Sequence, residues 1–183
     1  MKTLYKPNLS LYDNEDLKEL KAGRGIECCE SRDIYFSSME KALEFLRTEI
    51  EELDDEHIAQ ITIREIPVDS EDSDFTLHFY DSKLNYLGVF NHDKTYKKAK
   101  YKKGSWILFH YNGSIQCGYI AEECENQEPY LVIFEDSNLS DCSPHAHMDE
   151  LMVVQVISEK EASNLLPRKY FENILRRVKL SNH

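Results

Sequence analysis

The densest set of metal-type donors in the chain lies in six consecutive residues, Cys142-Ser143-Pro144-His145-Ala146-His147. A thiolate and two imidazoles are the ligands that zinc and other transition ions take from proteins. In an extended segment residues two apart point the same way, so His145 and His147 can face one ion together. Asp141 or Asp149 could add a fourth donor. Against this, no Cys-x-x-Cys or second ligand pair accompanies the set, and nothing in the sequence ties Cys124 to it. The expectation is a surface loop and no cofactor. A small metal-binding protein or enzyme built on Cys142, His145 and His147 is the rival reading.

A second pairing comes from strand register. Asn112-Gly113 between two apolar runs is a strong hairpin signal, because a type I′ turn needs positive φ at both central positions. Counting outward opposes Tyr111 with Ser114, His110 with Ile115 and Leu108 with Cys117. Trp106, Leu108, His110, Ile115, Cys117 and Tyr119 then share one face. His110 and Cys117 become diagonal neighbours at roughly 7–8 Å, near enough to consider a cysteine nucleophile with a histidine base. No orienting third residue is apparent, and a lone cysteine in a strand behaves as a small buried hydrophobe.

Charge is unevenly spread. The chain carries a net charge of −12, yet six lysines fall within the ten residues from Lys94 to Lys103, interleaved with Tyr96 and Tyr101. Lysines with aromatics can grip phosphates and stack bases, which gives a nucleic-acid reading of this segment. The remainder of the chain, at −18 without those lysines, repels phosphate backbones and attracts basic partners. The acids cluster at Glu49, Glu51, Glu52, Asp54, Asp55 and Glu56, and again at Asp69, Glu71, Asp72 and Asp74. These sit in solvated turns and a helix end, without the EF-hand spacing for calcium. A face that docks a basic protein suits them better than acid–base chemistry. The chain has no phosphate-binding loop, Gly-x-Gly-x-x-Gly, Gly-x-Ser-x-Gly or His-Glu-x-x-His motif.

The five cysteines, Cys28, Cys29, Cys117, Cys124 and Cys142, are odd in number, and two are adjacent. That does not suit a disulfide framework and reads as reduced thiols. The first residues lack the apolar stretch of a secretory signal, and no apolar run approaches the roughly 20 residues of a membrane span. Together these predict a cytoplasmic protein.

The elements that must position such groups follow from periodicity. Leu9 and Leu11 suggest a strand, and Leu17 and Leu20 a short helix, before Gly23 and Gly25. Met39, Leu43, Leu46, Ile50 and Leu53 recur at helical steps, so a helix is predicted over 38–53, with Ser37 as N-cap and Glu40 as its capping-box partner. Its apolar face is expected to bury against Ile61, Ile63, Phe75, Leu77 and Phe79. Strands are predicted over 57–66, 75–80 and 84–90, then over 106–111, 114–120, 130–134 and 150–157. Ser158 and Glu161 form a second capping box, and Pro167 suits the first turn of a further helix carrying Phe171, Ile174, Leu175 and Val178.

The run Lys103-Gly104-Ser105-Trp106-Ile107, Cys117-Gly118-Tyr119-Ile120, Tyr130-Leu131-Val132-Ile133 and Glu150-Leu151-Met152-Val153-Val154 resembles a small SH3-like barrel. The whole chain is similar to bacterial proteins that pair an α+β layer with such a barrel and a His-x-His stretch. The resemblance implies an architecture and a bacterial source, and transfers no functional residue.

The expected fold is therefore α+β: residues 1–93 as a helix on an antiparallel sheet, 94–103 as a lysine-rich linker, and 104–183 as an SH3-like barrel followed by a helix. The expected function is that of a non-enzymatic, acidic interaction protein, immunity- or antitoxin-like in its concrete form. It would hold a basic protein or peptide through Glu71, Asp72 and Asp74 and the aromatics Trp106, Tyr119 and Tyr130. A nucleic-acid-associated barrel using Lys94 to Lys103 is the further alternative.

Overall fold

A computed structural model describes residues 3–28, 33–53, 56–68, 75–90, 100–124, 128–136 and 145–181. In chain order the elements are β1 (Thr3–Tyr12), α1 (Leu17–Lys21), β2 (Ile26–Glu27), α2 (Met39–Glu51), β3 (His57–Pro67), β4 (Thr76–Tyr80), β5 (Tyr86–Phe90), β6 (Trp106–Tyr111), β7 (Ser114–Glu123), β8 (Tyr130–Phe134), β9 (His145–Met148), a 3-10 turn (Glu150–Met152), β10 (Val153–Ile157), α3 (Glu159–Leu165) and α4 (Arg168–Ser181). The chain divides into two units. One comprises Met1–Asp13 with Cys28–Asp93, the other Asn14–Glu27 with Lys94–His183.

This corrects the expected α+β fold with a closed barrel. The described residues are mostly strand, arranged as two antiparallel sheets, and no closed barrel is found. The chain opens on a ten-residue strand, and its longer helices lie mid-chain and at the C-terminal end. The second sheet stays open because its order is β10-β6-β7-β8-β9, which leaves β10 and β9 at opposite ends without a ladder between them. The sequence reading had no strand at His145–Met148. That strand takes the flank of β8.

In the first unit the sheet order is β1-β3-β4-β5, antiparallel throughout. Ser38 rather than Ser37 caps α2, its hydroxyl accepting the Lys41 N–H at 3.4 Å. The shift has a tertiary cause: Phe36 is still bridged to Tyr5, N–H to carbonyl in both directions at 2.9 Å, so the chain cannot turn into a helix until Ser38. Ala42 and Leu46 are fully buried against Leu9, Ile61, Ile63 and Tyr80. The expected contacts with Phe75, Leu77 and Phe79 do not form. The β3–β4 register opposes Ile63 with His78 and Ile61 with Tyr80, so these residues share the helix-side face, whereas Leu77 and Phe79 pair with Arg64 and Thr62 on the other.

In the second unit the β6–β7 hairpin turns at Asn112 (φ 49°) and Gly113 (φ 80°), with the counted register. One face of the sheet is a core of Ile107, Phe109, Ile120, Tyr130, Val132, Phe134, Ala146 and Met148. On the other, Trp106 stacks on Phe171 of α4, 5.0 Å between centroids and 12° between planes. The segment before β2 joins this unit through close contacts. Gly23 has φ +82°, and a Cβ there would come within 2.7 Å of the Tyr170 ring of α4. Lys21 Nζ donates to the Leu166 carbonyl at 2.9 Å, and Ile26 pairs with Ile115 of β7. The Ser158–Glu161 capping box is formed in both directions, and Pro167 opens α4, accepting N–H groups from Tyr170 and Phe171. No helix among the described residues is long and apolar enough to cross a membrane.

Candidate binding site

The aromatics expected to meet a partner are structural. Trp106 is 3% exposed and Tyr130 wholly buried, while Tyr119 is part-buried with its ring edge-on to Trp106 at 5.3 Å. The Tyr130 hydroxyl accepts the backbone N–H groups of Lys100 and Tyr101, at 2.6 and 2.9 Å, and so pins the chain leading into β6. An apolar face at this position holds the sheet together rather than awaiting a ligand. Glu71, Asp72, Asp74, Cys142 and the lysine-rich residues 94–99 lie outside the described residues. Lys100, Lys102 and Lys103 are exposed, and the Lys103 N–H donates to Glu123 at 2.8 Å.

His110 and Cys117 do share a face, but burial sets both against nucleophilic chemistry. It lowers the His110 pKa to about 4 and raises that of Cys117 to about 12. An activated pair needs a thiolate beside an imidazolium, and desolvation disfavours both charged forms. The His110 Nε2 is also shut off from solvent, with no hydrogen-bond partner among the described residues.

That imidazole makes the fold acid-sensitive. Its folded pKa lies below the ordinary 6.5, so between pH 6.5 and 4 the unfolded chain takes up a proton that the folded chain refuses. The resulting penalty is absent above pH 7 and grows as pH falls, reaching about 2–3 kcal/mol at pH 4.5. The loss of urea stability between pH 7 and 4.5 should be smaller in His110→Gln by about that amount. Equal losses in variant and wild type would show that the ring is solvated.

The convergence that the sequence reading missed lies in the first unit, on the part of the helix-side face flanking the N-terminal end of α2. His78 Nε2 and Glu65 Oε2 are 2.9 Å apart, with the two side chains 16% and 35% exposed. They are diagonal neighbours: Glu65 opposes Tyr5 and Thr76, while His78 opposes Ile63 and Val89. The Tyr5 hydroxyl also hydrogen-bonds Glu65. Its pKa is raised, first by desolvation and then by the charges of Glu65 and Glu40. Glu40 itself is held below the usual carboxylate range by its own backbone N–H and the Ser38 hydroxyl. The Tyr86 ring closes the cluster, 6.0 Å from His78 and 5.6 Å from Tyr80, and the Tyr80 hydroxyl donates to Met39 Sδ at 3.5 Å.

Tyr86 is 56% exposed and Leu87 beside it 51%. Both lie on β5, the last strand in the sheet order, and Leu87 is the extra residue where the β4–β5 register shifts. Such irregularities at sheet edges re-aim side chains. The patch thus presents two carboxylates at fixed positions beside open aromatic faces. Carboxylates attract cations, and ring faces add cation–π attraction. The available signal was the alternation of β3, which puts Glu65 on the face of Ile61 and Ile63, combined with the β3–β4 register, since alternation in β4 alone reads His78 as solvent-facing.

No family model matches the chain, and no curated protein or solved structure matches it.

Proposed function

We propose that this chain is a non-enzymatic module that holds a basic protein or peptide, with Tyr5, Glu40, Glu65, His78 and Tyr86 as its contact surface. The observation that carries this reading is the Glu65 carboxylate, oriented by His78 and Tyr5 and flanked by the exposed Tyr86 ring. The net charge of −12 supports it, because a strongly acidic body speeds encounter with basic partners and repels nucleic acid. A protein that neutralises a basic toxin, in the manner of immunity proteins or antitoxins, is one concrete form. A reducing cytoplasm is the proposed compartment, in keeping with the reduced thiols of Cys117 and Cys124.

The test is fluorescence anisotropy with a labelled Arg/Lys-rich peptide across a salt series. Glu40→Gln/Glu65→Gln should weaken binding by about tenfold, or about 1.4 kcal/mol. Glu44→Gln/Glu51→Gln removes the same charge from exposed positions further along α2 and should change affinity by less than about threefold. Equal effects from the two pairs would mean that net charge alone attracts the peptide, and no binding at low salt would refute the reading.

A further inference from the structure

We propose that His145 and His147 form a two-imidazole site for an exchangeable divalent transition ion of the Ni²⁺, Cu²⁺ or Zn²⁺ class. β9 is paired with β8 at four successive positions, from Tyr130↔Met148 to Ile133↔His145. Its inward residues, Ala146 and Met148, are buried in the core of the sheet. The strand therefore cannot slip, and the alternation that buries these two leaves both histidines exposed on the opposite side.

Alpha carbons two apart in a strand are separated by about 6.7 Å. From that spacing two imidazoles can lean together and meet one ion at about 2.1 Å each. The outer flank of β9 is the end of the sheet order. Across β8 the direct neighbours of the histidines are Ile133 and Leu131, which bring no competing cation. Opposite Leu131 on the same face stands the exposed carboxylate Glu122, and a chain of net charge −12 raises the local concentration of cations.

Among the described residues no set of three or more His, Cys, Asp or Glu side chains gathers as a metal-binding group. Two imidazoles by themselves make an open chelate, in which water takes the remaining coordination positions. Imidazole donors and the order of divalent affinities then favour Cu²⁺ over Ni²⁺ over Co²⁺, with Mg²⁺ and Ca²⁺ excluded. The site belongs to the second unit and uses none of the residues of the basic-partner patch.

The experiment is calorimetric titration of the full, untagged chain with Ni²⁺, repeated with Cu²⁺, Co²⁺ and Mg²⁺. One equivalent of Ni²⁺ is expected. His145→Ala and His147→Ala should each weaken it by at least about tenfold, while His57→Ala, at an exposed histidine of the first unit, should leave it unchanged. Circular dichroism checks that the variants fold, and His145→Asn serves if the alanine variant does not. Wild type without Ni²⁺ binding, undiminished binding by both alanine variants, or loss of binding on His57→Ala would each overturn the proposal.

Discussion

Replacing Phe109 by alanine is expected to cost about 3–5 kcal/mol, the largest single-residue loss in the second unit. The ring is wholly buried and edge-on to Phe134, 5.3 Å between centroids and 82° between planes, with Tyr111 at 6.5 Å. It sits where β7 has no side chain. A Cβ on Gly118 would fall 2.8 Å from Phe109 Cε1 and 2.7 Å from Val132 Cγ1. The ring therefore fills a slot bounded by backbone, and backbone collapses poorly into a void, so both the lost transfer energy and the cavity contribute. Urea unfolding followed by tryptophan fluorescence is the measurement, because Trp106 is buried on the same strand. A loss below about 1 kcal/mol would show that the sheet repacks freely.

Leu46→Ala should destabilise the first unit by about 2–5 kcal/mol. Leu46 has no solvent exposure and lies in the α2 stripe that packs with Leu9, Ile61, Ile63 and Tyr80. Glu44→Ala, on the exposed side of the same helix, should shift stability by less than about 0.5 kcal/mol. The contrast separates burial from helix propensity, since alanine is the better helix former at both positions. It also bears on the patch, because α2 supplies Met39 and Glu40 to it. Far-UV circular dichroism against urea reads both variants. Equal effects at the two positions would mean that the helix is not seated on the sheet.

Features with local causes were legible in the sequence. The β6–β7 turn follows from Asn112-Gly113, whose backbones adopt the positive φ that type I′ geometry demands. The α2 stripe, the Ser158–Glu161 box and the restart at Pro167 are likewise properties of a few consecutive residues. Even there a tertiary contact intervened, since the bridge from Phe36 to Tyr5 moved the start of α2 from Ser37 to Ser38.

What depended on distant pairing was not legible. Alternation in β3 and β4 identifies two faces but not which of them meets the helix. The register opposing Ile63 with His78 decides that, and the same register brings Glu65 to His78 across thirteen residues of chain. Trp106 became core rather than contact surface because α4, more than sixty residues later, places Phe171 against it. His145 and His147 became strand residues because β8 offered a flank to pair with. Periodicity is set by the backbone of neighbouring residues and can be read along the chain. Register and face are settled only when remote strands compete for partners and bury the side chains that fit together.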